Sequence, residues 1–401
     1  MRLLVLYASD LADPSRIAPG GITSNVRGYV GGLPPDWDIE VWGASEQPAL
    51  STHLLLGERS VRFRSIVRAE PVLARGRALS PRYAVALARQ AWRERLSDRF
   101  DAVISHRSEY LAALTLSRGR RWLPPVVQMI HGSSAWSARS FSRPAERLFM
   151  IGERLAVSSA AAIALVAEST LQYYRGRYPA SADKFRCIPN GVNLDRWPSS
   201  ALPARRAEWR ARLNLADDDR VLIYHGRFAR EKGIERLLAV LSILRRDGAP
   251  WTLAVAGNGP LAPIIASAAR ATGTAIRNVG PLNSTDIAGF LCAGDVALLC
   301  SDFEGLSNGL LESLAAGLPV VATPVGDSAI VLAEVDPKLT PGSTPESLAD
   351  AVQYAWALRR ELSARALLRA EHYSLAKRSG CIAELIASVS GQERSRAPHA
   401  I

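Results

Sequence analysis

Cysteine is scarce in this chain, with only Cys187, Cys292, Cys300 and Cys381 scattered among 401 residues. Their spacing forms neither a disulfide framework nor a zinc-ligand pattern. This argues against a stapled secreted scaffold and agrees with a reducing cytoplasm. Long apolar runs are lacking too. The longest, Leu155 to Ala167, contains two serines and falls short of the ~20 residues that span a bilayer. The opening MRLLVLYASD has a brief apolar run that soon meets Asp10, too short for a secretory segment, so it reads as a buried first strand. No repeat of solenoid period occurs. Asp217-Asp218-Asp219 come before a strand and not in a loop where an Asp-x-Asp pair would bridge a divalent ion to a diphosphate.

What is present is a long chain, 48% hydrophobic and 22% charged. It is too long for one ordinary core and too apolar for disorder, so two globular domains are expected. Short β-branched and aliphatic runs alternate with helical stretches, as in parallel sheets covered by helices on both faces. Strands are expected at Leu3 to Tyr7, Ile39 to Trp42, Ala102 to Ser105, Val126 to Ile130 and Ala162 to Val166. A second series falls at Val221 to Tyr224, Thr252 to Ala256, Val296 to Cys300 and Val320 to Ala322. Between the series lies IPNGVNLDRWPSSALP, rich in Pro, Asn, Gly and Ser. The expectation is α/β: a Rossmann-like domain at 1–198, a second at 199–372, and a C-terminal helix within 373–401 that packs back on the first domain and ends in a disordered tail. Ligands of such sheets bind at the carboxyl ends of the strands.

Charge is uneven. The formal net charge is +11, and +10 of it falls in residues 1–198. Nucleic acid, an anionic membrane surface, a phosphate-bearing acceptor or a merely arginine-rich composition would each explain it.

The most informative segment is CSDFEGLSNGLLESLAAGLPVVATPVG, from Cys300 to Gly326. A strand ends at Cys300, and a loop carries Glu304, Gly305, Leu306, Ser307 and Asn308. A helix starts near Gly309 and is stopped by Gly317-Leu318-Pro319. Glu304 falls on the loop and Glu312 about one turn into the helix. A ligand over the helix N-terminus would meet both carboxylates, and the open backbone N–H groups there suit phosphate.

This arrangement resembles the E-x7-E signature of glycosyltransferase family 4, in the GT-B fold. Other stretches resemble the same family in the same order: Gly20-Gly21 before a helix, His131-Gly132 after a strand, IPNGVNLDRW, YHGRFAREKGIERLLAVL, LAVAGNGPL and RNVGPL. The resemblance covers roughly residues 1–330. It implies two Rossmann-like domains facing each other across a cleft. The activity implied is metal-independent, cofactor-free transfer of a hexose, with retention, from a UDP- or GDP-sugar to a hydroxyl acceptor.

Roles carry over residue by residue. Gly20 and Gly21 would let backbone approach the donor phosphates, and His131 and Glu304 would contact the transferred sugar. Arg227 and Lys232 would neutralise the leaving diphosphate. Glu312 would bond the ribose hydroxyls, and backbone near Val279 and Leu282 would meet the base. Gly305, Leu306, Ser307 and Asn308 would line the donor. Families of this kind often carry a second Gly and a Glu where this chain reads Val325-Gly326-Asp327-Ser328-Ala329-Ile330.

Gly257-Asn258-Gly259-Pro260-Leu261-Ala262 fits a dinucleotide fingerprint in form, yet no acid follows near Arg277 to Gly280 to hold a ribose. It reads as a tight turn into a helix. Two other readings stay open: a sugar-nucleotide epimerase of the same fold and a non-catalytic nucleotide-sugar binder. A nucleic-acid binder explains the charge but not the C-terminal motifs. SPRYAVALARQAWRERL, from Ser80 to Leu96, can form a basic amphipathic helix. Tyr83, Val85, Ala86, Leu87 and Trp92 would dip into an interface while arginines meet lipid phosphates. A cytoplasmic protein held at the inner membrane face, with a sugar or lipid-linked acceptor, is the corresponding expectation.

Overall fold

The computed structural model describes residues 1–9, 21–47, 50–69, 79–118, 122–132, 143–216, 218–246 and 249–394. Gly20 and the C-terminal tail lie outside them. The chain divides into two compact units. One comprises Met1–Asn190 with Leu375–Ile401, and the other Gly191–Ser374.

The first unit is built on an eight-stranded sheet. Its strands are β1 (Arg2–Leu6), β2 (Asp38–Ser45), β3 (Ser51–Leu56), β4 (Arg59–Arg68), β5 (Ala102–Ser105), β6 (Val126–Ile130), β7 (Ala162–Leu165) and β8 (Phe185–Cys187). Their spatial order is 3-4-2-1-5-6-7-8. All pairings are parallel except the β3–β4 hairpin at one edge. The strands β5, β6 and β7 are buried along their whole length, because helices cover both faces of a parallel sheet.

The second unit holds β9 (Arg220–His225), β10 (Trp251–Ala256), β11 (Ile276–Asn278), β12 (Val296–Leu299) and β13 (Val320–Ala322), all parallel, in the order 11-10-9-12-13. The order reverses beside β9, the position at which such sheets bind ligands.

All nine expected strands occur, within a few residues at each end. Four others were not anticipated. β8 and β11 have three residues each, too few for a pattern. β3 and β4 form an edge hairpin whose arginines masked its alternation of buried and exposed positions.

The linker divides earlier than its composition suggested. Val192 donates its N–H to the Tyr373 carbonyl and Trp197 Nε1 donates to the Ala288 carbonyl at 3.2 Å, so residues 191–198 belong to the second unit.

The basic helix spans Leu79–Arg93, and one part of its expected role is corrected. Tyr83 and Leu87 are fully buried in the core of the first unit, with the Tyr83 hydroxyl on the Trp42 carbonyl at 2.6 Å. They are unable to enter an interface, whereas Val85 and Trp92 are exposed.

The C-terminal helix Leu375–Arg394 returns to the first unit, where Ile382, Ile386 and Val389 share a core with Leu3, Val5, Tyr29 and Val41. It lies close to the helix Gly21–Gly31 and the residue after it. A Cβ on Gly32 would come within 2.6 Å of Ser379 Oγ. Ile386→Ala should therefore destabilise the protein by about 2 to 5 kcal/mol, as a buried aliphatic cavity does. Urea unfolding monitored by tryptophan fluorescence measures this, and an unchanged midpoint would show that the helix is not part of the core.

Candidate active site

The loops at the carboxyl ends of β9 to β13 are joined by backbone hydrogen bonds. Phe228 N–H reaches the Asn258 carbonyl at 2.9 Å and Gly257 N–H the Gly280 carbonyl at 2.8 Å. Asp302 N–H reaches the Glu231 carbonyl at 2.9 Å, and Asp327 N–H the Gly305 carbonyl at 2.9 Å. Two glycines make this closeness possible. Gly233 has φ +65°, and a Cβ there would stand 1.9 Å from the Cys300 carbonyl oxygen. Gly326 has φ +56°, and its Cβ would stand 2.1 Å from the Gly305 oxygen. No L side chain fits either place without backbone movement. The departure from family pattern around Val325-Gly326-Asp327 thus leaves Gly326 against the loop that carries Glu304.

On this platform Lys232 Nζ donates to Glu304 Oε1 at 2.5 Å, and Ser301 Oγ donates to the same oxygen at 2.8 Å. Ser301 is held in turn by Thr323 Oγ1 on its carbonyl at 2.6 Å. Arg227 does not join this pair. Its largely exposed side chain is bonded to Glu231. Burial opposes ionisation of Glu231, but a backbone hydrogen bond and Arg227 outweigh it and hold the carboxyl below its ordinary range. The Cys300 thiol behind the loop is pushed up to about 12, chiefly by burial, so it is not a nucleophile at neutral pH.

The helix Asn308–Ala315 starts one residue before its expected position. Ser307 occupies its N-cap without making a side-chain cap, so that side chain does not close the first N–H groups. Glu312 lies one turn in. Its Oε2 is 2.8 Å from Nε2 of His225, the last residue of β9. The sequence reading passed over His225, although it stands directly before Gly226-Arg227 at a strand's carboxyl end. A Cβ on Gly309 would lie 3.3 Å from the His225 ring, so the absence of a side chain there keeps room beside the imidazole.

Leu306 is buried and Gly305 has no side chain, so a ligand could meet these two only through backbone. Val279 commits its N–H to the Val255 carbonyl at 3.0 Å, and Leu282 is half-buried three residues further on. Among the described residues no group of three His, Cys, Asp or Glu side chains is arranged to hold a metal.

The two remaining site residues belong to the first unit. Gly21 opens the helix Gly21–Gly31, its carbonyl accepting from Asn25 Nδ2 at 3.1 Å. His131 follows β6, and its Nε2 is 2.9 Å from Nδ1 of His106, which follows β5. His106 was also missed, for want of any motif around it. Burial, with the Arg378 and Arg107 guanidiniums nearby, pushes His131 down to about 3. Burial, His131 and Arg378 hold His106 well below its ordinary value. Both rings are neutral at physiological pH.

Comparison with known proteins identifies the class as GT-B. Sucrose-phosphate synthase from Thermosynechococcus elongatus superposes with a TM-score of 0.78 at 19% identity, over 98% of this chain and all of that one. Anabaena HepE in complex with UDP-glucose superposes with 0.69 at 15%, over 97% and all, respectively. Residues 20–196 match the family described as Glycosyltransferase Family 4, and residues 219–357 match Glycosyl transferases group 1. The two matches together span most of the chain and mark it as of the glycosyltransferase family 4 type. Among curated relatives, alpha-D-kanosaminyltransferase of Streptomyces kanamyceticus is 28% identical over 236 residues, 57% of this chain and 60% of that protein. The chain spans between half and two thirds of the length of the curated relatives it matches.

Gly233→Ala should cost about 1 to 3 kcal/mol through backbone strain alone. It should also loosen the Lys232–Glu304 pair, because the loop must back away from Cys300. Chemical denaturation gives the first effect, and a wild-type midpoint would contradict the close approach.

Proposed function

We propose that this protein transfers a hexose, with retention of configuration, from a nucleoside diphosphate sugar to a hydroxyl acceptor. The observation that carries the reading is the pairing of Lys232 with Glu304 and of His225 with Glu312 around an N-terminus that Ser307 leaves uncapped. Lys232 and Arg227, with the helix N–H groups, stabilise the departing diphosphate, so no metal is needed. Glu304 and His131 contact the transferred sugar. Glu312, oriented by His225, bonds the ribose. The base meets backbone at Val279 and Leu282, and Gly20 and Gly21 admit the phosphates. The leaving phosphate oxygen takes the acceptor's proton, so the chain need not supply a base. UDP is the favoured nucleotide because HepE, which shares the fold, is described with UDP-glucose.

The test is a thermal-shift panel of UDP-glucose, GDP-mannose and ADP-glucose, followed by turnover with the stabilising donor in excess chelator. Release of an epimerised sugar nucleotide, or loss of turnover on chelation with rescue by magnesium, would refute the reading. Glu312→Ala should weaken donor binding by about 1.5 to 3 kcal/mol, the worth of hydrogen bonds to a charged group. Calorimetry measures this, and unchanged affinity would remove Glu312 from the donor site.

The acceptor is proposed to be lipid-linked, presented at an anionic membrane that the protein binds peripherally. No helix among the described residues is long and apolar enough to cross a membrane. Three neighbouring helices of the first unit nevertheless expose Val85 and Trp92, then Leu116, then Leu148 and Ile151. Arg82, Arg89 and Arg93 lie on the first helix and Arg143 and Arg147 on the third. Each basic side chain near an anionic leaflet contributes about 1 kcal/mol. Co-sedimentation with phosphatidylserine vesicles should be strong at low salt and fall at high salt. Absence of binding at low salt would leave a soluble acceptor.

A further inference from the structure

The buried polar chain behind His131 has a direction. Tyr29, fully buried on the helix Gly21–Gly31, places its hydroxyl 2.6 Å from His106 Nε2, and His106 Nδ1 is 2.9 Å from His131 Nε2. The two imidazoles lie nearly parallel, 16° apart with centroids at 5.2 Å, and the edge of Tyr7 packs on His106 at 5.3 Å. Each neutral imidazole has one N–H and one lone pair.

Of the two groups at the 2.6 Å contact, the phenol is the stronger donor and the imidazole nitrogen the stronger acceptor. Burial raises the phenol above its ordinary range and so keeps its proton on the oxygen, while the buried Arg378 guanidinium, 5.9 Å from the Tyr29 ring, opposes that shift only in part. Tyr29 therefore donates to His106 Nε2. The His106 proton then sits on Nδ1 and is donated to His131 Nε2. His131 is left with its proton on Nδ1 and its only lone pair occupied.

We propose that Tyr29 and His106 are positioning residues that hold His131 as the Nδ1-protonated tautomer, so that it offers a hydrogen-bond donor to a sugar oxygen. This rests on the reading of His131 as a sugar contact. It adds that His131 does not act as a base, having no lone pair to give. The proton of the acceptor hydroxyl then goes elsewhere, in keeping with its removal by the leaving phosphate.

Long-range 1H–15N correlation spectra of the full chain with 15N-histidine, at neutral pH, read the tautomers directly. The six histidines are few enough to assign through His131→Gln and His106→Gln. In the wild type, the expected result is Nδ1–H on both His106 and His131. Nε2–H on His131 would overturn the proposal without any variant. Tyr29→Phe removes the donor at little cost in shape and should release His131 to a mixture containing Nε2–H. It should also lower turnover roughly tenfold, the worth of one lost hydrogen bond. Turnover is read with whichever of UDP-glucose, GDP-mannose or ADP-glucose stabilises the protein, and the melting temperature alongside. A wild-type tautomer in Tyr29→Phe would overturn the proposal. Full turnover in His131→Ala would instead defeat the sugar contact, and the tautomer, measured without substrate, separates the two failures.

Discussion

The arrangement of the candidate site depends first on one close contact, that of Gly233 with the Cys300 carbonyl. The turn after β9 can lie against the loop after β12 only because residue 233 has no Cβ and adopts a positive φ. That contact brings Lys232 onto Glu304 across 72 positions of sequence. Gly326 supports the same loop from the next strand. Close backbone approach sets where the loops stand, and the hydrogen bonds of Ser301, Thr323 and His225 then hold the carboxylates in place.

The ion pairs show what such a platform does before any ligand arrives. Glu304 is held by a cation and a hydroxyl, Glu312 by an imidazole, and Arg227 by its own neighbour Glu231. Each partly buried charge has a partner, and this is the condition for keeping it charged away from bulk water. A diphosphate reaching Arg227 and Lys232 would exchange carboxylate partners for phosphate ones rather than meet bare cations. On the first unit the same economy takes another form, a neutral hydrogen-bonded chain from Tyr29 through His106 to His131. Neutral imidazoles suit that position because burial disfavours the charged form of both rings, with Arg378 near both and Arg107 near His131 adding to it.

Much of this was legible beforehand. Nine strands of the two sheets announced themselves through short apolar runs, and the carboxylates through their place between a strand end, a glycine-rich loop and a helix. His225 and His106 were not legible. Each is a single histidine at a strand's carboxyl end, and its importance comes from a partner 87 or 25 positions away. Tyr83 and Leu87 were misread because an amphipathic helix with arginines on its polar face looks the same whether its apolar side meets lipid or its own sheet.

By itself the sequence determined the α/β class, the two series of parallel strands, the family, and the segments that form the loops at the strand ends. These follow from local pattern: apolar period, glycine and proline placement, and the order of short motifs. Tertiary structure alone decided which charges pair, which face of the helix Leu79–Arg93 is buried, that residues 191–198 join the second unit, and that residues 375–394 return to a unit distant from them in sequence. Those outcomes depend on contacts between remote segments, where space and the need to satisfy each buried polar group select one partner among many that the sequence permits.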